Sequence, residues 1–499
     1  MTTLEPDIDP SLAALADAVL IPPFYGTTPP GWILDALGRG LAGVTLFGNN
    51  VTGDISRLTA TLRTAAGAEP VIAIDEEGGV VTRVGYAEGS PYPGNAALGV
   101  VDDVALTRDV YAAIGADLRR LGINTNLAPC ADVLAAGGSP VIGTRSFGPD
   151  PQLAARHVAA AVEGLQKAGV AACAKHFPGH GSTSADTHRV LATISGSLEE
   201  IRRRDLPPFE AAIAAGTWCL MPGHLRIPEL TGDLPATLSA AAVTGLLRGE
   251  LGYTGTVICD ALEMKAASAV FGIPEAAVLA VIAGVDLLCL GRDTDEEMYH
   301  AVRSALADAV TSGRLAGSRL EEAADRVSSL RAKLEEARRD DDHAGLDGCV
   351  SPAGDDIGLV AARRALHGTG PIPARLTDPL IIEVEPEENI AAGRFTWGFS
   401  HWSAVRRIDP ADANGSGGDG AALSEILYAA AGRSLVLAVR DATGGALPLV
   451  TGLLSARPDT VIVEMGVPTW TPPEGTAYLA TYGASRACAL AAAEALGLV

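Results

Sequence analysis

The stretch Lys175-His176-Phe177-Pro178-Gly179-His180-Gly181-Ser182-Thr183-Ser184-Ala185-Asp186-Thr187-His188 places a lysine, three histidines and an aspartate within fourteen residues. It directly follows the apolar run Val170-Ala171-Ala172-Cys173-Ala174. A short apolar strand opening into a polar loop broken by glycine and proline is where α/β enzymes carry their chemistry. Pro178, Gly179 and Gly181 rule out a helix, so His176 and His180 are not an i, i+4 zinc pair. The loop ends in Asp186-Thr187-His188, and a carboxylate beside an imidazole can orient it for proton transfer near neutral pH.

Other strand-like runs also end in reactive side chains. Val71-Ile72-Ala73-Ile74 leads into Asp75-Glu76-Glu77-Gly78-Gly79. Asp75 would stand at the strand's rim, where its carboxylate can accept hydrogen bonds from adjacent sugar hydroxyls, and Arg83 follows at a distance that returns it there. A solvated acidic turn accounts for the same residues. Arg145, in Gly143-Thr144-Arg145-Ser146-Phe147-Gly148, offers a rigid fork of donors for a carboxylate or hydroxyl, or a surface ion pair. Thr256-Val257-Ile258-Cys259 ends at Asp260, a carboxylate competent to attack an anomeric carbon and equally suited to cap a following helix. Cys259 reads as a buried small hydrophobe.

His224 closes Met221-Pro222-Gly223-His224. With His176, His188 and Asp260 it invites the reading of a metal-dependent barrel hydrolase. That chemistry also asks for paired histidines near the first strand, and Ile21-Pro22-Pro23-Phe24-Tyr25-Gly26 has none. Neither a metal nor another cofactor is expected.

The elements that must position these groups are legible as apolar runs. Eight occur, at residues 19–25, 43–47, 70–74, 123–128, 170–174, 218–221, 255–259 and 285–290, with segments of helical periodicity such as 153–168 and 198–215 between most of them. Eight β units alternating with α units predict an α/β fold, a (β/α)8 TIM-like barrel. Asp75, Asn126, Lys175, His176, His224 and Asp260 all follow strands, and in a barrel such positions converge on one face. The barrel is expected over residues 1–340 and a polar linker over 341–358. A smaller αβα sandwich is expected over 359–499, with strands at 380–384, 435–440, 461–465 and 477–481. The loop Asn414-Gly415-Ser416-Gly417-Gly418-Asp419-Gly420 lies within it and lacks the Lys-Ser/Thr of a phosphate-binding loop.

Composition narrows the partners. The 499 residues carry a net charge of −23, which argues against nucleic acid or an anionic membrane surface. The opening residues show no basic n-region or apolar h-region, and no run is clean enough to span a bilayer. The seven cysteines fall mostly singly within apolar runs, so neither disulfides nor a CxxC metal site is expected and a reduced cytoplasm is.

Taken together, Ile74-Asp75-Glu76-Glu77-Gly78-Gly79, Lys175-His176-Phe177-Pro178-Gly179-His180-Gly181 with Asp186-Thr187-His188, and Cys259-Asp260-Ala261-Leu262-Glu263-Met264 resemble glycoside hydrolase family 3. The resemblance is closer to its β-N-acetylglucosaminidase (β-N-acetylhexosaminidase) branch, whose Asp-X-His loop replaces the glutamate that β-glucosidases take from the second domain. It implies a barrel followed by an αβα sandwich, no metal, and retention of anomeric configuration. Asp260 matches the nucleophile, His188 the general acid/base and Asp186 its orienting partner. Asp75, Arg83, Arg145, Lys175 and His176 match positions that bind the terminal sugar, and His224 is grouped with them.

The implied activity is exo-hydrolysis of terminal non-reducing N-acetylglucosamine from small carbohydrates, with cytoplasmic cell-wall muropeptide fragments and peptidoglycan recycling as the expected setting. A phosphorylase of the same branch is the nearest alternative, since an imidazole acid/base does not repel incoming phosphate as a carboxylate would. A β-glucosidase and a non-catalytic sugar-binding relative complete the alternatives.

Overall fold

Eight short parallel strands frame the first compact unit, which comprises Met1–Glu76, Thr107–Ala135 and Pro149–Ser351. The structure, a computed structural model, describes residues 8–135, 139, 141–183, 190–194, 196–344, 354–385, 391–393, 398–409, 421–440 and 446–499. The strands are β1 (Leu20–Ile21), β2 (Gly43–Thr45), β3 (Val71–Ile74), β4 (Thr125–Asn126), β5 (Ala171–Phe177), β6 (Cys219–Pro222), β7 (Thr256–Val257) and β8 (Leu288–Cys289). β2 to β7 pair in sequence order, and β1 pairs with β8. Thr45 N–H donates to the Pro22 carbonyl (3.3 Å) and Cys259 N–H to the Leu287 carbonyl (2.9 Å). These bonds join β1 to β2 and β7 to β8, so the sheet curls into a ring.

The strand sequences suit that ring. A barrel strand faces packed side chains inside and helices outside, so both of its faces must be apolar. All four residues of β3 are buried, as are all seven of β5. Each of the eight apolar runs carries one observed strand.

The intervening helices begin at capping signals. Asp150 accepts from Gln152 N–H (2.9 Å) and Pro151 occupies the first turn, starting the helix Pro151–Lys167. The segment 198–215, expected as one helix, forms two, Leu198–Arg204 and Pro207–Ala214. Pro207 and Pro208 bring no N–H to continue the first helix but can open a second. Among the described residues no single helix is long and apolar enough to cross a membrane.

The second unit comprises Glu77–Leu106, Ala136–Gly148 and Pro352–Val499. Its sheet contains β9 (His367–Thr369), β10 (Leu380–Val384), β11 (Val405–Ile408), β12 (Leu435–Val439), β13 (Val461–Glu464) and β14 (Tyr478–Ala480). The spatial order is β9-β14-β13-β12-β10-β11, with only the edge pair β9–β14 antiparallel. Alternate residues feed two cores. Leu380, Ile382, Leu435 and Leu437 join one, while Ile381, Val436, Ala438 and Val463 join the other. Ile426, Val450 and Leu453, from helices Ala421–Ala429 and Leu447–Ala456, complete the first; Ala489 and Ala492, from Arg486–Ala495, complete the second. Helices on both faces make this an αβα sandwich.

The four inner strands coincide with expected runs, and the two edge strands β9 and β11 do not. The second unit also draws in Glu77–Leu106 and Ala136–Gly148, which precede the expected linker by more than 190 residues of sequence. Cys488 illustrates the tie, its thiol lying 3.6 Å from the Pro93 carbonyl. The Gly-rich loop 414–420 lies outside the described residues.

Candidate active site

Residues after the barrel strands assemble the site from the backbone up. Asn126, on β4, accepts from Glu76 N–H (3.0 Å) and donates to the Glu76 carbonyl (2.8 Å). This pair pins the end of β3, so Asp75 is held at the rim. Across β4, Lys175 Nζ donates to Asp75 Oδ1 at 2.6 Å. Lys175 is buried, and an ammonium out of water needs such a carboxylate partner.

His176 takes a different partner, Asp132, which the sequence reading missed. Asp132 Oδ2 lies 2.7 Å from His176 Nδ1 and 3.2 Å from Cys130 Sγ. Asp132 Oδ1 accepts from the N–H groups of His176 (3.2 Å) and His180 (2.7 Å). Burial alone would raise the Asp132 pKa, but the neighbouring His176 and His180 outweigh it and hold the carboxyl below its usual range. An ionised carboxylate only accepts, so His176 donates from Nδ1 and leaves Nε2 for another partner. Gly181 lets the loop lie against residue 133, whose carbonyl a Cβ would strike, and its own carbonyl accepts from Ala135 N–H (3.0 Å).

Asp260 follows β7, and its Oδ1 accepts from Ala261 N–H (2.8 Å). It caps no helix: the next, Lys265–Phe271, begins after Met264. His224 is fully buried, with Nε2 donating to the Ala261 carbonyl at 3.0 Å. Grouped with the sugar-binding residues by sequence, it reaches the Asp260 turn through the Ala261 carbonyl. Glu263 ties the same turn to the loop after β8 by accepting from Asp293 N–H (2.8 Å), and burial raises its pKa.

Asp75 and Lys175 meet across β4, and Asp260 follows β7 at the same, C-terminal end of the parallel barrel strands. Burial first pushes the Cys173 thiol, on β5, well above its ordinary pKa; the Asp75 and Asp260 carboxylates push it further and Lys175 opposes them. Burial likewise keeps the Cys259 thiol protonated, in keeping with its reading as a small hydrophobe.

Two expected sugar-binding residues belong to the second unit. Arg145 is not a surface pair: it is buried with Glu77, Nε to Oε2 at 2.9 Å and Nη2 to Oε1 at 2.8 Å. Arg83 Nη2 donates to the Ala391 carbonyl at 2.9 Å. Asp186 and His188 lie outside the described residues. Asp132 had a sequence signal, since Pro129-Cys130-Ala131-Asp132 directly follows the fourth run. A lone carboxylate in an apolar stretch declares a role only when its partners, 44 and 48 residues away, are known.

The chain is similar to known proteins. Residues 36–330 match the family profile described as the glycosyl hydrolase family 3 N terminal domain. The chain is 34% identical over 336 residues to Beta-hexosaminidase A of Pseudoalteromonas piscicida, an alignment covering 62% of this chain and 56% of that one. It is 36% identical over 284 residues to a Beta-hexosaminidase of Stenotrophomonas maltophilia strain R551-3, covering 55% and 84%. Among solved structures, a glycoside hydrolase family 3 β-N-acetylglucosaminidase from Paenibacillus sp. str. FPU-7 superposes with a TM-score of 0.83 at 29% identity, covering 100% of this chain and 97% of that one. The chain belongs to glycosyl hydrolase family 3.

Proposed function

We propose that this protein is a retaining exo-β-N-acetylglucosaminidase that removes terminal non-reducing N-acetylglucosamine through a covalent intermediate on Asp260. The observation that carries the reading is the placement of the Asp75–Lys175 pair and of Asp260 at the C-terminal ends of parallel barrel strands. The names of the relatives support the sugar.

In the first step an Asp260 oxygen bonds to the anomeric carbon as the glycosidic bond breaks, and His188 gives its proton to the departing oxygen. In the second, neutral His188 takes a proton from water, whose oxygen displaces Asp260 and restores the configuration. Asp186 orients His188 and steadies its cationic form. Asp75, Lys175 and His176 hold the sugar hydroxyls. The natural substrates in this proposal are muropeptide fragments in the cytoplasm.

Incubation with 4-nitrophenyl N-acetyl-β-glucosaminide, with and without inorganic phosphate, tests the reading. Free N-acetylglucosamine in both tubes is expected. N-acetylglucosamine 1-phosphate in the phosphate tube would replace hydrolysis with phosphorolysis, and faster release from the aryl glucoside would replace the sugar.

A further inference from the structure

Beneath His176 the barrel collects a thiol, a carboxylate and an imidazole around one point. Cys130 Sγ, an Asp132 oxygen and a His176 ring nitrogen all lie within 4.8 Å of one another, and all three residues are buried. We propose that this triad is a binding site for a thiophilic divalent cation of the zinc class, and that the ion is an inhibitor rather than a cofactor.

The donor set is the one such ions select. Thiolate, imidazole and carboxylate are all zinc ligands, at about 2.0–2.3 Å, and three protein ligands leave a fourth position open to water. Asp132 Oδ2 already lies 2.7 Å from His176 Nδ1 and 3.2 Å from Cys130 Sγ. Ligands on a tetrahedral ion of that radius stand roughly 3.3–3.8 Å apart, so the carboxylate–imidazole edge opens by about 0.6 Å and the carboxylate–thiol edge by about 0.3 Å.

The protons balance. With Asp132 ionised, the thiol and the imidazole Nδ1 each offer it a hydrogen. The cation takes the place of both: Cys130 releases its proton to solvent and becomes thiolate, while the His176 proton moves from Nδ1 to Nε2. The triad passes from one negative charge to none, which lowers the cost of burying the Asp132 charge.

The consequence follows from the ring. In the metal-free protein His176 presents an acceptor at Nε2; with the ion on Nδ1 it presents a donor. A sugar hydroxyl that donates to His176 loses its partner, so the ion raises KM more than it lowers kcat. That kinetic arm rests on the proposed hexosaminidase activity, whereas binding of the ion does not.

The test is a titration of the metal-free full-length protein with Co2+, a spectroscopic stand-in for Zn2+, on wild type, Cys130→Val and Cys130→Ser. The serine variant keeps a hydroxyl donor to Asp132 should the valine variant not fold. Wild type is expected to show a thiolate-to-cobalt charge-transfer band and the visible bands of a four-coordinate ion at one equivalent. Both variants should lack the charge-transfer band and bind on the order of 100-fold more weakly. Zn2+ should raise KM for the aryl N-acetylglucosaminide about tenfold or more in wild type, and little in either variant relative to its own metal-free value. Absence of the thiolate band in wild type, or equal Zn2+ inhibition of wild type and Cys130→Ser, overturns the proposal. A band without turnover of any N-acetylglucosaminide would leave the ion site standing and remove the hexosaminidase reading.

Discussion

Asp132 accepts from both the imidazole and the backbone of His176, with Oδ2 2.7 Å from Nδ1 and Oδ1 3.2 Å from the amide nitrogen. One carboxylate thereby fixes the tautomer, ring plane and chain path of a residue proposed to touch the sugar. Removing its charge while keeping its shape should separate these roles. Asp132→Asn is expected to lower kcat/KM by about 10–100-fold, chiefly through KM, as for other supports one shell behind a reacting group. Steady-state kinetics on the aryl N-acetylglucosaminide checks this.

The same carboxyl gives a pH dependence of stability. Its native pKa lies below the usual aspartate range, burial being outweighed by His176 and His180. A depressed native pKa contributes stability that is present above the unfolded value and lost as pH falls through the native one. Urea unfolding of wild type should therefore weaken below about pH 4, the unfolded carboxyl range, and Asp132→Asn should flatten that part of the profile. An unchanged acid slope in the variant would assign the effect to other carboxyls.

Arg145 and Glu77 should reveal themselves through stability. Both are buried and share two hydrogen bonds, so Arg145→Ala strands a charge. The expected loss is about 3–5 kcal/mol. Chemical denaturation checks it, and a loss below 1 kcal/mol would mean that water reaches Glu77 once the arginine is gone.

His224 acts on the Asp260 turn through the Ala261 carbonyl. His224→Ala is expected to lower kcat by about tenfold or more with a smaller change in KM, because misplacing the proposed nucleophile penalises the reacting step. A change confined to KM would return His224 to direct sugar binding.

The barrel was legible because each of its strands is dry on both faces, which forces continuous apolar runs such as Val71–Ile74. The same rule exposed the inner strands β10, β12, β13 and β14. The edge strands escaped it. All of β9 is exposed, and β11 carries Arg406 and Arg407 toward solvent. The break before Pro207 needed proline chemistry to override helical periodicity.

The site was legible where chemistry clusters in sequence, as in Lys175-His176 and at Asp260. It was hidden where function depends on distant pairing. Glu77 sits among three consecutive carboxylates, and only the fold selects it for Arg145, 68 residues on. Asp132 and His224 are single polar residues in apolar stretches, and their partners come from other strands.

Asp260 as a covalent nucleophile is the claim on which the rest depends. Wild-type protein should be mixed with a fluorinated N-acetylglucosaminyl donor that forms the intermediate quickly and hydrolyses slowly, then quenched, digested and read by mass spectrometry. The account predicts one sugar adduct per protein, on the peptide bearing Asp260, and none on Asp260→Asn. An adduct on another residue, or rapid turnover by Asp260→Asn, would contradict it.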